Sequence, residues 1–313
     1  MLLRAFDFQN LSVLYLSNII KSFRKGVSLK LVRFGLPGNE LPGVVAEDGL
    51  IRDLSGVIDD FSGTMLSSVQ LANLAKLDLI DLPLAPFGSR LGVPVTGTRN
   101  FVGIGLNYSD HAHAIGAQIP DEPIIFLKSL NTLQGPNDPV ILPHNSLKSD
   151  WEVELGIIIS EETRCVTEAQ AMQYVAGYCV VNDLSERAFQ LERGGTWVKG
   201  KSCDTFGPIG PWLVTKDEVP DPQSLGVWLN VNGKQMQRSS TKDMIFDAAF
   251  LVSYISQFFT LYPGDIIATG TPDGVGMTIK PSPVYLQPGD VMTLGVEKLG
   301  EQRQVVQSCK LST

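Results

Sequence analysis

The chain is poor in cysteine, histidine and cationic residues, and it contains no long apolar run. Its 313 residues include four cysteines and three histidines, and 25 lysines and arginines stand against 33 aspartates and glutamates. The cysteines form no Cys-x-x-Cys pair, which argues against a thiolate zinc site or a disulfide framework. No apolar stretch approaches the roughly 20 residues that span a bilayer. The net charge of −8 argues against a nucleic acid or an anionic membrane as partner.

Residues 1–27 differ in composition from the rest of the chain. They carry lysines, arginines and apolar residues but a single acid, Asp7. We interpret this segment as an extension that arises from an early assignment of the start codon. A mitochondrial targeting segment is the alternative, because such segments are amphipathic and poor in acids. The remainder, with reduced cysteines, is expected to be cytoplasmic.

Glycine and proline punctuate the chain and divide it into two predicted domains. Short apolar runs between turn residues predict a small β-rich N-terminal domain at residues 28–95. The end of this domain is rich in proline and glycine, as linkers are. Residues 96–313 are predicted to form one larger domain.

The larger domain is predicted to have a β-dominated α+β fold. Strands are predicted at residues 101–104, 124–128, 153–159, 178–182, 225–231, 265–269 and 290–296. Apolar residues at helical spacing predict a main helix at 244–259, and weaker patterns cover 67–76 and 169–174. The glycine-rich loop at 269–276 lacks the Gly-Lys-Ser/Thr ending of a Walker loop, which argues against a nucleotide-binding sheet.

Two glutamates, Glu152 and Glu154, stand at the start of the strand predicted at 153–159. Side chains two positions apart on a strand point to the same face. The following run is apolar enough to be buried on both faces, where each carboxylate costs roughly several kcal/mol to desolvate. A divalent cation offsets that cost, and oxygen ligands suit magnesium, manganese or calcium. A solvent-exposed strand face is the alternative that spacing alone leaves open.

Asp183 favours the metal site. It ends the apolar strand predicted at 178–182, where an acid at the edge of a core is unexpected. Asp150 shares a face with Glu152 and Glu154, but it precedes the strand. We therefore rank Asp150 below the other three acids as a ligand.

Cationic and polar residues near these acids suit an anionic substrate. Arg187 follows Asp183 by one helical turn, and Gln190 comes three residues later. Lys201 could bind a carboxylate or stabilise a developing enolate, and a solvated surface lysine is the alternative. Thr271 lies in the glycine-rich loop, whose hydroxyls and amides can face a carboxylate.

The chain has three histidines, His111, His113 and His144. His111 follows a glycine-rich strand and is the candidate general base. For His113 and His144 we favour surface positions.

An ordered set of short motifs resembles the fumarylacetoacetate hydrolase family. The motifs are GLNYSDH at residues 105–111, EP at 122–123, FLK at 126–128, EVELG at 152–156, GY at 177–178, ND at 182–183, KS at 201–202, VNG at 231–233, PGD at 263–265 and TGTP at 269–272. The N-terminal β-rich unit also resembles that of many prokaryotic members. The resemblance implies a β-roll-like catalytic fold, a homodimer, and Mg²⁺ or Mn²⁺ bound by Glu152, Glu154 and Asp183.

The resemblance also implies a small anionic keto acid as substrate. Members hydrolyse C–C bonds of acylpyruvates and related diketo acids, and others decarboxylate oxaloacetate-like acids or isomerise unsaturated hydroxy-diacids. Their shared chemistry is chelation of an α-keto acid and stabilisation of its enolate. The residues that would contact the substrate are Lys201, Arg187, Gln190 and Thr271.

The chain departs from the family at one catalytic position. Hydrolytic members often pair the histidine that matches His111 with a glutamate three residues later, and this chain has Ala114 there. The residues that could replace the glutamate are His113, Asp110 and Asp121. We expect a metal-dependent hydrolase of 2,4-diketo acids. A lyase, decarboxylase or isomerase that uses the same enolate is the second hypothesis, and a catalytically silent binding protein is the third.

Overall fold

The computed structural model describes residues 29–310. The expectations for residues 1–27 lie outside this range. Within it, no helix is both long enough and apolar enough to cross a bilayer.

The described residues are rich in short strands. The strands are β1 Lys30–Phe34, β2 Leu41–Val45, β3 Ile51–Asp53, β4 Phe101–Gly105, β5 Ile124–Lys128, β6 Leu133–Gln134, β7 Val140–Leu142, β8 Ser149–Asp150, β9 Val153–Ile159, β10 Val175–Asn182, β11 Ser185–Glu186, β12 Gly207–Thr215, β13 Gly226–Val231, β14 Lys234–Ser240, β15 Ile266–Ala268, β16 Val291–Val296 and β17 Gly300–Ser308.

The α-helices are short. They are α1 Ser68–Leu74, α2 Ser109–Ala114, α3 Glu168–Ala171, α4 Arg187–Leu191, α5 Val198–Lys201 and α6 Ala248–Ser256. Single 3₁₀ turns occur at Gly63–Leu66, Leu130–Thr132, Met172–Tyr174, Lys216–Glu218, Pro222–Ser224, Thr241–Asp243 and Gly276–Thr278. The result is the β-dominated α+β architecture that the sequence predicts.

The large sheet has β9 and β10 near its centre. Its strand order is β3-β2-β1-β12-β10-β9-β15-β4-β5, and β6 joins at β12. Every residue of β9 and β10 is buried, because both faces of these strands are covered. The two strands are antiparallel, and Val181 pairs with Glu154. The end of β10 therefore lies beside the start of β9.

The N-terminal strands continue the same sheet. Strand β1 pairs antiparallel with β12 through Lys30–Val214 and Leu31–Leu213. One apolar cluster contains Leu31 together with Ile158 and Val181 of the central strands. The boundary at residue 95 remains a prediction.

A second sheet packs against the first. Its order is β14-β13-β16-β17-β7. Along β13, every second residue is buried, as expected for a strand with one covered face. Val227 and Leu229 of β13 join Leu155 of β9 and Val252 of α6 in one apolar core.

The main helix is shorter than its apolar pattern predicts. Helix α6 covers Ala248–Ser256, and the Asp247 side chain caps it by accepting a hydrogen bond from the Phe250 amide. The preceding residues bind elsewhere, since the amides of Ile245 and Phe246 donate to the carbonyl and the side chain of Asn107. The predicted start at residue 244 is therefore wrong, because an apolar pattern does not show competing hydrogen bonds.

Candidate metal and substrate site

The three acids proposed as metal ligands meet at the junction of β9 and β10. Glu152 precedes β9, Glu154 lies in it, and Asp183 follows β10. The Asp183 amide donates a 2.9 Å hydrogen bond to the Glu152 carbonyl, which extends the pairing of the two strands. One carboxylate oxygen from each acid lies within 4.8 Å of the other two. All three side chains are buried, so the solvent-exposed alternative for the two glutamates is excluded.

Glu154 is the member of this triad whose negative charge is not balanced by a cation among the described residues. It is 1% exposed, and its Oε2 accepts a 2.7 Å hydrogen bond from the Gly270 amide. Among residues 29–310, no lysine or arginine forms an ion pair with it. Burial and the charges of Asp183 and Glu152 raise the pKa of Glu154 well above its usual range. A divalent cation fits here, since it would neutralise this carboxylate with oxygen ligands alone.

Gly270 can present its amide to Glu154 because it is glycine. Its φ is +97°, a region that other L-residues rarely adopt. A Cβ atom would also lie 2.7 Å from the Cβ of Asn107. The glycine-rich loop therefore supplies a backbone donor to the triad.

The other two acids are held by buried cations. Lys201 Nζ lies 2.6 Å from Glu152 Oε2 and 2.5 Å from Asp183 Oδ2. Arg187 pairs with Glu152 at 2.8 Å, and Lys128 pairs with Asp183 Oδ1 at 2.5 Å. Burial opposes ionisation of Glu152, but Lys201 and Arg187 outweigh it and hold its pKa well below the usual range.

Burial affects the two lysines in opposite ways. Burial favours the neutral form of Lys201, but Asp183 and Glu152 outweigh it and raise its pKa. Burial lowers the pKa of Lys128, and its pairing with Asp183 does not fully offset this. Lys201 is thus the better stabilised cation of the pair.

Asp150 lies outside the triad. Its carboxylate accepts hydrogen bonds from Arg187 Nε at 2.9 Å and from the Gly276 and Met277 amides at 2.6 and 3.1 Å. Asp150 therefore orients Arg187 and ties the end of the glycine-rich loop to the site.

The residues proposed to contact substrate line one cavity with two acids of the triad, Glu152 and Glu154. The cavity wall includes Glu152, Glu154, Arg187, Gln190, Lys201 and Thr271. Gln190 accepts a 3.1 Å hydrogen bond from Arg187, and Thr271 donates to the Val153 carbonyl at 2.9 Å. Their contacts with a substrate remain predictions.

His111 also faces this cavity, from helix α2. It is 6% exposed, and burial lowers its pKa, so the imidazole is neutral near pH 7. Its Nδ1 has no hydrogen-bond partner among the described residues. Asp110 does not orient the ring, because its side chain accepts from the His111 amide instead.

The other residues considered as substitutes for the missing glutamate do not lie in the cavity. His113 and Asp121 are exposed, and neither lines the cavity. His144 is exposed as well. The structure therefore leaves His111 without a carboxylate partner at the position of Ala114.

Sequence reasoning missed two contributors to the site. Lys128 was recognised only as part of a family motif, although a lysine that ends the apolar strand β5 is a signal for a buried partner. The apolar side of the cavity, which includes Phe126 and Trp197, was not anticipated. Neither Phe126 nor Trp197 stands in a local sequence pattern that points to the triad.

The chain matches known proteins over most of its length. The family model described as "Fumarylacetoacetate (FAA) hydrolase C-terminal" matches residues 100–307. A protein of Burkholderia multivorans that is named "Putative hydrolase" is 54% identical over 282 residues, which are 90% of this chain and 100% of that protein.

Solved structures share the fold. Fumarylacetoacetate hydrolase from Exiguobacterium antarcticum is 35% identical, with a TM-score of 0.79, over 90% of this chain and all of that one. Maleylpyruvate hydrolase from Sphingobium sp. SYK-6, in complex with manganese(II) and pyruvate, is 31% identical with a TM-score of 0.74 over the same shares. 2-Hydroxyhepta-2,4-diene-1,7-dioate isomerase from Mycobacterium marinum is 30% identical with a TM-score of 0.72, over 91% of this chain and all of that one. The motifs, the fold and these matches together show that the chain is an enzyme of the fumarylacetoacetate hydrolase family.

Proposed function

We propose that this enzyme is a divalent-metal-dependent hydrolase that cleaves a C–C bond of a 2,4-diketo acid such as an acylpyruvate. The observation that carries the proposal is a single cavity lined by the buried side chains of Glu152, Glu154, Lys201 and His111. Mg²⁺ and Mn²⁺ are the proposed ions, because the ligands are oxygen atoms. The manganese complex of the Sphingobium hydrolase supports this choice.

The surrounding residues have separate tasks in this proposal. A divalent cation held by Glu152, Glu154 and Asp183 would supply Lewis acidity toward the oxygens of an α-keto acid. Arg187 and Gln190 bind the substrate carboxylate, and Lys201 offsets the negative charge that develops on the enolate oxygen. His111 accepts a proton from the attacking water.

The proposed reaction is balanced with water as the one co-substrate. Water adds to the C4 carbonyl of the diketo acid, and the C3–C4 bond breaks. The electron pair of that bond leaves as the enolate of pyruvate, which takes up a proton at C3. The products are a carboxylic acid and pyruvate, and no oxidant or reductant is required.

The proposal also covers partners and assembly. A small anionic keto acid is the partner of the site, and neither a nucleic acid nor a membrane is proposed. A cytoplasmic homodimer is the proposed state of the enzyme.

Ala114 favours a second candidate function. Because His111 has no carboxylate to orient it, activation of water is the weakest element of the site. A lyase, an oxaloacetate-type decarboxylase or a 2-hydroxy-dienedioate isomerase needs the metal site and Lys201 but no activated water. The name of the Mycobacterium marinum isomerase shows that one structural relative has such an activity.

The test uses acetylpyruvate, whose enol absorbance disappears on cleavage. We expect turnover with Mn²⁺ or Mg²⁺ that stops when a chelator is added and returns when the metal is restored. Product analysis separates the two candidates, since hydrolysis gives acetate and pyruvate, decarboxylation gives CO₂, and isomerisation conserves mass. Failure of a panel of 2,4-diketo acids to show metal-dependent cleavage would refute the hydrolase proposal.

Restoring the missing carboxylate should accelerate hydrolysis. Residues three apart on a helix are neighbours, so a glutamate at position 114 can reach the unpaired Nδ1 of His111. We expect Ala114→Glu to raise kcat for acetylpyruvate by about 10-fold or more, since general base catalysis contributes about 10²–10⁴-fold. Ala114→Gln is the matched control, because it has the same length without the charge. An unchanged rate in Ala114→Glu would show that His111 is not the base.

A further inference from the structure

The cavity is lined by both charged and apolar side chains. The charged part of its lining consists of Glu152, Glu154, Arg187 and Lys201. Four apolar side chains also line the cavity, those of Ile115, Phe126, Leu191 and Trp197, and they are here called the apolar wall. We assume that a substrate whose keto-acid end reaches the metal ligands places its other end against this wall.

The two aromatic rings of the wall are fixed by close packing. The rings of Phe126 and Trp197 meet edge to face with centroids 5.4 Å apart. A Cβ on Gly103 would lie 2.2 Å from the Phe126 ring, and one on Gly105 would lie 2.4 Å from the Trp197 ring. The two glycines of β4 therefore make room for the aromatic side chains, which form a preformed surface.

The rest of the wall is apolar and open to water. Ile115 is 37% exposed and Leu191 is 49% exposed, although both line the cavity. Exposed apolar side chains at the mouth of a pocket are typical of surfaces that bind an apolar group. An alkyl or aryl group would remove them from water.

The cationic groups of the cavity are already paired. Among the described residues, Arg187 and Lys201 are the lysines and arginines that line it. Arg187 contacts Asp150 and Glu152, and Lys201 contacts Glu152 and Asp183. Lys201 Nζ also lies 5.0 Å from the centroid of the Phe126 ring, but its charge is already balanced by the two carboxylates. Neither cation is therefore free to bind a second substrate carboxylate.

The cations of the neighbouring loop have other partners. Lys148 forms an ion pair with Glu192, and Lys199 donates a 2.7 Å hydrogen bond to the Arg193 carbonyl. The Arg193 guanidinium lies over the Phe189 ring, 4.5 Å from its centroid. These three residues do not line the cavity.

The charge of the buried cluster leads to the same conclusion. Its four carboxylates face three cations, so a bound divalent ion would leave one net positive charge. One substrate carboxylate neutralises that charge, and a second would lie against the apolar wall without a cationic partner and would lose part of its hydration. The members of the cluster are Asp150, Glu152, Glu154, Asp183, Lys128, Arg187 and Lys201.

We propose that this site selects 2,4-diketo acids with a single carboxylate and an apolar acyl group, branched alkyl or aryl, and discriminates against those with a second carboxylate. The inference rests on the proposed function, because it assumes that a keto acid binds at the triad. It narrows that function to one class of acylpyruvate. In this proposal, specificity arises from the lack of a free cation at the wall as much as from its apolar contacts with the acyl group.

The test compares two diketo acids of nearly the same shape. 7-Methyl-2,4-dioxooctanoate carries an isopropyl group at the position where 2,4-dioxoheptanedioate carries its second carboxylate. With Mn²⁺ present, we expect kcat/KM for the isopropyl compound to be at least about 30-fold higher than for the diacid. The isopropyl compound buries two methyl groups, whereas the second carboxylate of the diacid has no cationic partner at the wall. Equal values, or a preference for the diacid, would overturn the inference while leaving the hydrolase proposal intact.

A binding measurement keeps the inference testable if no diketo acid is cleaved. 7-Methyl-2-oxooctanoate and 2-oxoheptanedioate lack the second keto group, and calorimetry on the Mn²⁺-loaded enzyme gives their Kd values directly. The inference requires the monocarboxylate to bind at least 10-fold more tightly. Equal affinities would refute it, whatever reaction the enzyme performs.

A positive charge introduced into the wall should reduce or cancel the preference for the monocarboxylate. We expect Leu191→Arg to tighten binding of 2-oxoheptanedioate by about 10-fold, because the new guanidinium can pair with the second carboxylate. Val198→Arg is the matched control, since Val198 is 47% exposed but does not line the cavity. An equal gain in the control would mean that the effect comes from overall charge and would contradict the assignment of the wall.

Discussion

Replacing Glu154 with glutamine should weaken Mn²⁺ binding strongly and, at the same time, make the metal-free protein more stable. Glu154 is a buried carboxylate without a cationic partner among the described residues, so its charge destabilises the folded state when no metal is bound. Glutamine keeps the oxygen that accepts from the Gly270 amide and removes the charge. We expect metal affinity to fall by about 100-fold or more and the Tm in chelator to rise by about 2–6 °C.

Glu152→Gln is the matched control for that experiment. It removes a metal ligand too, but Glu152 pairs with both Lys201 and Arg187. Loss of one member of a buried ion-pair network costs about 3–5 kcal/mol, so this variant should have a lower Tm in chelator than the wild type.

Thermal unfolding of all three proteins, with MnCl₂ and with chelator, measures both effects. Mn²⁺ should raise the Tm of the wild type and should leave the Tm of both variants unchanged. A Glu154→Gln protein that is still stabilised by Mn²⁺, or that unfolds earlier in chelator than wild type, would show that Glu154 is not the residue that needs the metal.

Replacing Lys201 with methionine should remove most of the activity while leaving metal binding in place. The Lys201 ammonium contacts Glu152 and Asp183 and lines the cavity. Loss of one donor to a developing oxyanion costs about 10²–10³-fold in rate. We therefore expect kcat/KM for acetylpyruvate to fall by about 10²–10³-fold, measured at saturating Mn²⁺. Mn²⁺ affinity, measured by calorimetry, should not decrease, because the triad keeps its three carboxylates.

Lys128→Met separates a role at the substrate from a role in charge balance. Lys128 pairs with Asp183 as Lys201 does, but it does not line the cavity. We expect this variant to be less stable, and at saturating Mn²⁺ to lose less than about 10-fold in kcat/KM. Equal losses of activity in the two lysine variants would show that Lys201 acts through the charge of the triad and not on the substrate.

The triad illustrates what local periodicity can predict. Strand alternation places Glu152 and Glu154 on one face, and the apolar run after them indicates burial. Asp183 stands out because it ends a second apolar strand. These features need no knowledge of strand pairing, and the structure brings the three carboxylates together.

The boundaries of α6 show where periodicity is insufficient. The apolar pattern from residue 244 to 259 is continuous, but Asn107 binds the amides of residues 245 and 246. A side chain 139 residues away in sequence therefore determines the conformation of the segment before the helix. Such a contact leaves no mark on the pattern of the helix.

The sequence alone determined the β-dominated fold, the three acids of the triad and the absence of a glutamate at position 114. Each of these depends on residue type and short-range spacing, which the chain carries locally. Tertiary structure decided which acid lacks a cation, since Lys201, Arg187 and Lys128 reach Glu152 and Asp183 from separate segments and leave Glu154 unpaired among the described residues. It also decided that Asp150 holds Arg187, because ion pairing depends on distance in space and not on spacing in sequence.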